Sequence, residues 1–102
     1  MKKKATKLPP IHPGEILLED FMKPLGLSIN RLALDLHVPV TRMSEIANCR
    51  RAISADTALR LGRYFGTSAQ IWINLQAKYD LQIAEDRLGE DIERQVQPRR
   101  AA

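Results

Sequence analysis

Two short apolar stripes, separated by a break at His37-Val38-Pro39, constrain this chain more than any other feature. Ile29, Leu32, Ala33 and Leu36 recur at i, i+3, i+4 and i+7, which is one buried face of a helix. Ser28 stands where that helix needs an N-cap. Beyond the break, Met43, Ile46 and Ala47 form a second stripe, with Thr41, Glu45 and Asn48 pointing away and Arg42 and Ser44 on the flanks. The spacing predicts two short helices that bury their stripes against each other and against the rest of the chain. Ala33 lets the two backbones approach, Val38 plugs the turn, and Met43 and Ile46 pack back to close the angle. Such an element, from about Ser28 to Asn48, is a helix-turn-helix.

The surrounding sequence reads as helical throughout, with no strand alternation and no internal repeat. A helix begins at His12-Pro13-Gly14-Glu15, carries Ile16, Leu17, Phe21 and Met22 inward, and ends at Pro24 and Gly26. Ser54 caps a fourth helix with Ala58, Leu61 and Phe65 on its inner face, and Gly66 fits the position just beyond its end. A fifth helix starts at Thr67-Ser68, with Ile71, Trp72, Leu75 and Tyr79 as its stripe, and continues to about Leu88. The organisation expected is a basic N-terminal arm over 1–11, a helical domain over 12–88, and a charged, frayed tail over 89–102. Of the five aromatic residues four lie between Tyr64 and Tyr79, so that segment is expected to supply much of the core.

A net charge of +4 suits a polyanionic partner. A single cysteine, Cys49, permits no internal disulfide, and a reducing cytoplasm is the simplest setting. No apolar run is long enough for a signal peptide or a membrane span. No nucleophile–base pair, glycine-rich phosphate loop or pair of catalytic carboxylates is present, so there is no reason to expect an enzyme or a cofactor. His12, His37 and Cys49 match no compact metal-ligand spacing. Trp72 and Tyr79 share a face with Leu75, which reads as core packing rather than base stacking.

The outward residues of the third helix are chemically suited to double-stranded DNA. Arg42 can pair with guanine through two hydrogen bonds, Thr41 can meet a base edge or a thymine methyl, and Glu45 can accept from cytosine. Arg50 and Arg51 follow the helix, where phosphates would lie, and the free N–H groups at the Ser28 end of the second helix suit phosphate as well. Against this stands a plainer reading, in which Arg42, Arg50 and Arg51 are a solvated face with Glu45 as an ion-pair partner.

Taken in order, the motifs His12-Pro13-Gly14-Glu15, Leu36 to Asn48, Asp56 to Leu61, Tyr64 to Ser68, Trp72 to Gln76 and Tyr79-Asp80-Leu81 resemble the HigA family of antitoxins. The resemblance spans about residues 11–82. It implies an all-α, lambda-repressor-like five-helix fold, a homodimer, and no small-molecule cofactor. It implies repression of the protein's own operon through a palindromic operator, and neutralisation of a HigB-like, RelE-like mRNA-cleaving toxin. It assigns base reading to Pro39, Val40, Thr41, Arg42, Ser44 and Glu45, and phosphate contact to Ser28, Asn30, Arg31, Arg50 and Arg51. A free-standing regulator without a toxin uses the same reading head and is the alternative. Four positions depart from the pattern: His37 where the turn prefers glycine, Cys49 and Ala52 where relatives usually have glycine, and Leu34 at an outward position that is usually polar.

Overall fold

The computed structural model describes residues 8–100, and the lysines of the expected basic arm at positions 2, 3, 4 and 7 lie outside the described residues. Five helices, and no strand, occur among the described residues. The first, α1, is α-helical over Pro13–Ile16 and widens to a π-helix over Leu17–Met22. It is followed by α2 (Ile29–Leu36), α3 (Val40–Ala47), α4 (Ala55–Phe65) and α5 (Ala69–Gln95).

The starts of four of the five helices follow from side-chain caps that satisfy backbone N–H groups left free in a first turn. Ser28 Oγ accepts from the Arg31 N–H, Ser54 Oγ from Thr57, and Ser68 Oγ from Ile71, at 3.0, 3.3 and 3.1 Å. At α1 the cap is an imidazole: His12 Nδ1 accepts from the Gly14 N–H at 2.8 Å. The first four helices end alike, with one residue in the left-handed region folding the next N–H back onto the last turn. Those residues are Gly26, His37, Cys49 and Gly66, at φ 63°, 60°, 63° and 74°. Two are glycines and two are not. His37 and Cys49 thus adopt the conformation that glycine would hold without strain, so the turn around Cys49, where relatives usually have glycine, carries strain.

The core is built from every helix. Leu17 and Met22 of α1, Leu32, Ala33 and Leu36 of α2, Met43 and Ile46 of α3, Ala58 and Leu61 of α4 and Trp72 of α5 are buried together with Ile53. Phe21 stacks obliquely on both Phe65 and Trp72 with ring centroids 5.0 Å apart, while the indole N–H donates to Thr67 Oγ1 at 2.9 Å. Val38 packs on the core from the turn between α2 and α3, and Leu34 points outward at 64% exposure.

Two expectations change. Ile71 is not part of the inner face of α5; it is 48% exposed, and the helix instead turns Trp72 and Gln76 inward. The frayed tail expected from residue 89 begins later, because α5 runs on to Gln95 and only Val96 leaves helical geometry. Residues 89–95 are mostly good helix formers, and an Arg94–Asp91 pair closes the last turn.

The α1 helix sits against the end of α3 with no room to spare. A β-carbon at Gly14 would stand 1.8 Å from the Ile46 carbonyl oxygen, which is backbone and cannot move aside alone. Gly14→Ala is therefore expected to lower the free energy of unfolding by about 2–3 kcal/mol, as overpacking does, read as a reduced midpoint in chemical denaturation. Burial also holds the His12 pKa below its ordinary 6.5, partly offset by the charge of Asp80 and by a backbone hydrogen bond at Arg51. The unfolded chain then binds that proton more readily, so the contribution is complete above about 6.5 and is lost as pH falls through the folded-state value. Denaturation midpoints should drop on acidification from neutral pH, and the drop should shrink in His12→Asn.

Candidate nucleic-acid interface

The outer face of α3 carries a shallow open groove of about 550 Å³, lined by Val40, Thr41, Ser44, Glu45 and Arg50. Helical geometry explains four of these: Val40, Thr41, Ser44 and Glu45 stand at i, i+1, i+4 and i+5, one strip opposite buried Met43, Ile46 and Ala47. Pro39 precedes the helix as an exposed, extended residue and makes no side-chain cap, so the first N–H groups of α3 have no side-chain partner there. The strip is polar at its edges and bears one methyl-rich residue, Val40, at 44% exposure.

Arg50 reaches this face because of how α3 ends. Cys49, at φ 63°, reverses the chain, and the N–H groups of Cys49 and Arg50 fold back to the carbonyls of Ile46 and Glu45 at 2.9 and 2.8 Å. Arg51 follows, exposed, with Nη1 3.0 Å from Glu45 Oε1. The Glu45 carboxylate therefore already has a cation beside it, and the plainer reading of this face as an ion-paired surface holds for Arg51 and Glu45 in the free protein.

Arg42 is placed differently from the sequence expectation. It is not among the groove residues; it lies a quarter-turn round the helix, partly buried, with Nη1 2.9 Å from Asp56 Oδ1 at the start of α4. The same oxygen accepts from Arg60 Nε at 2.8 Å, and Arg60 Nη1 donates to the Leu36 carbonyl at 2.8 Å. Hydrogen bonds from Arg60 first and Arg42 second hold the Asp56 carboxyl below its usual range. This network joins the end of α2, the face of α3 and the start of α4.

The N-terminal end of α2 presents Ser28, Asn30 and Arg31 at the surface. Arg31 is paired with Asp35 at 3.1 Å, and Asp35 also accepts from the Tyr64 hydroxyl at 2.7 Å. That hydroxyl, ahead of Arg31, keeps the Asp35 carboxyl ionised to lower pH than usual. The sequence reading missed Asp35, Asp56, Arg60 and Tyr64. The i, i+4 pairs Arg31–Asp35 and Asp56–Arg60 were visible in it, but the bonds crossing between helices were not.

The described residues thus define a helix-turn-helix DNA-binding fold of the transcription-regulator class, with its reading helix exposed. No family model matches the chain. It is 57% identical over 80 residues to virulence-associated protein I of Dichelobacter nodosus, covering 78% of this chain and 74% of that one. It is 41% identical over 86 residues to the HTH-type transcriptional regulator YbaQ of Escherichia coli K12, covering 84% and 75%. Among solved structures it is similar to the Pseudomonas aeruginosa antitoxin HigA determined with the higBA promoter, at TM-score 0.86 and 47% identity over 87% of this chain and 97% of that one. The chain belongs to the HigA family of helix-turn-helix antitoxins.

Relieving the left-handed strain at Cys49 should stabilise the fold without changing its face. Cys49→Gly is expected to raise the free energy of unfolding by about 1 kcal/mol, measured by thermal and chemical denaturation; a decrease would contradict the strain.

Proposed function

We infer that the protein is an antitoxin that represses its own operon, inserting α3 into the major groove of a palindromic operator and neutralising a HigB-like toxin encoded beside it. One observation carries the DNA half of this reading: the strip of Val40, Thr41, Ser44 and Glu45 with Arg50 at its edge forms one open groove on α3. Its relative of 47% identity was captured with promoter DNA. The toxin half rests on membership of the family. A homodimer would present two α3 helices about 34 Å apart, one turn of DNA.

Within this reading Val40, Thr41, Ser44 and Glu45 meet base edges, with Pro39 at the mouth of the groove. Val40 offers methyl groups to thymine, Thr41 and Ser44 offer hydroxyls, and Glu45 accepts from cytosine once Arg51 swings to phosphate. Arg50 and Arg51 take one flanking phosphate stretch, and Ser28, Asn30 and Arg31 at the start of α2 take the other. Arg42 keeps α3 seated on α4 through Asp56 in the free protein; exposed ion pairs of this kind add little to stability. Exchanging Asp56 for a guanine therefore costs little, and the residue remains a reader by that exchange.

Fluorescence anisotropy on the protein's own promoter tests the DNA reading, and co-expression with the adjacent reading frame tests the toxin reading. Binding should weaken steeply with salt, and Arg50→Ala with Arg51→Ala should flatten the slope of log K against log salt by about 0.9 for each phosphate left unneutralised. Thr41→Ala and Arg42→Ala should change which operator variants are preferred, by about 1–3 kcal/mol where a bidentate pair is removed. If no neighbouring product co-purifies while operator binding persists, the protein is a free-standing regulator.

A further inference from the structure

The segment from Cys49 to Ile53 carries Arg50 and Arg51, yet it has no regular structure of its own. Two buried polar side chains from distant parts of the chain converge on its backbone. Gln76 on α5, 7% exposed, accepts from the Ile53 N–H through Oε1 at 2.8 Å. Its amide is oriented by the other end, where Nε2 donates to Asp80 Oδ1 at 2.9 Å. His12, 6% exposed, caps α1 through Nδ1, and its other ring nitrogen, which carries the proton, donates to the Arg51 backbone carbonyl. The ring is held edge-on to Tyr79, 4.9 Å between centroids, and Asp80 supplies the neighbouring charge.

We propose that His12 and Gln76 are positioning residues for operator binding: a clamp from α1 and α5 that fixes the backbone on either side of Ala52 and so aims Arg50 and Arg51 at phosphate. The clamp rests on the phosphate role assigned above to those two arginines. Its logic is desolvation. Both partners are buried, so a loosened segment would strand a buried amide or imidazole without a hydrogen bond, and the segment has one satisfied position. Asp80 serves both jaws, through a hydrogen bond to Gln76 and through its charge on His12. The reading helix is held by Met43 and Ile46 in the core and by the approach of Gly14 to the Ile46 carbonyl, so a variant at His12 must keep the Gly14 cap to leave α3 in place.

The variants are chosen to separate aim from folding. His12→Asn keeps an oxygen that caps Gly14, since asparagine is a good N-cap, but is too short to hold the Arg51 backbone as well. Gln76→Met keeps the volume and removes the acceptor for Ile53. Each is made with native arginines and again with Arg50→Ala plus Arg51→Ala, confirmed folded by thermal melting, and titrated on the promoter duplex over a range of salt. Expected is an approximately tenfold loss of affinity with a flatter salt slope in the native background, and less than about twofold further loss without the arginines, the non-additivity of coupled groups. Equal losses in both backgrounds, or undiminished affinity in both variants, overturns the clamp. If the arginine double variant alone leaves affinity and salt slope unchanged, the phosphate assignment fails first and takes the clamp with it.

Discussion

The contact on which the rest depends is the approach of Gly14 to the Ile46 carbonyl, closer than any side chain would allow. It docks the first turn of α1 against the last turn of the reading helix. Because Ile46 is itself buried among residues from the other helices, that contact fixes the end of α3 relative to the core rather than to one neighbour. The following turn must then leave α3 in one direction, and the left-handed Cys49 supplies it. A strained residue persists there because the packing around it has no other solution.

The polar surface is organised by carboxylates that each serve two helices. Asp56 accepts from Arg42 and Arg60, and Asp35 from Arg31 and Tyr64. Such exposed pairs add little to stability one at a time. Their effect is to hold Arg31 and Arg42 close to the surfaces of α2 and α3, which the proposed function sets beside phosphate and a base edge respectively. A reading head of this kind is held in readiness without being locked, since exposed ion pairs are weak enough to be exchanged for contacts to DNA.

Helix caps, stripes and the order of elements were legible in the sequence because they depend on residues three or four apart. Ser28, Ser54 and Ser68 cap as their positions dictate, and His37 takes the left-handed turn. The misreadings have a common cause. Ile71 looked like core because its stripe was counted from Trp72 without knowing which side α4 would cover, and the tail looked frayed because it is charged and poorly patterned. Helix propensity, not burial, carries α5 to Gln95.

By itself, then, the sequence determined five helices, a helix-turn-helix between Ser28 and Asn48, and the polar strip on the face of α3 opposite its core residues. All of that is periodicity and local capping, which act over one or two turns. Only the tertiary structure decided that Arg42 meets Asp56, that Gln76 reaches Ile53, and that His12 lies beside Arg51. These partners are 14, 23 and some forty residues apart in the chain. No local pattern encodes such pairings; they exist because the buried core brings α1, α4 and α5 around one short helix.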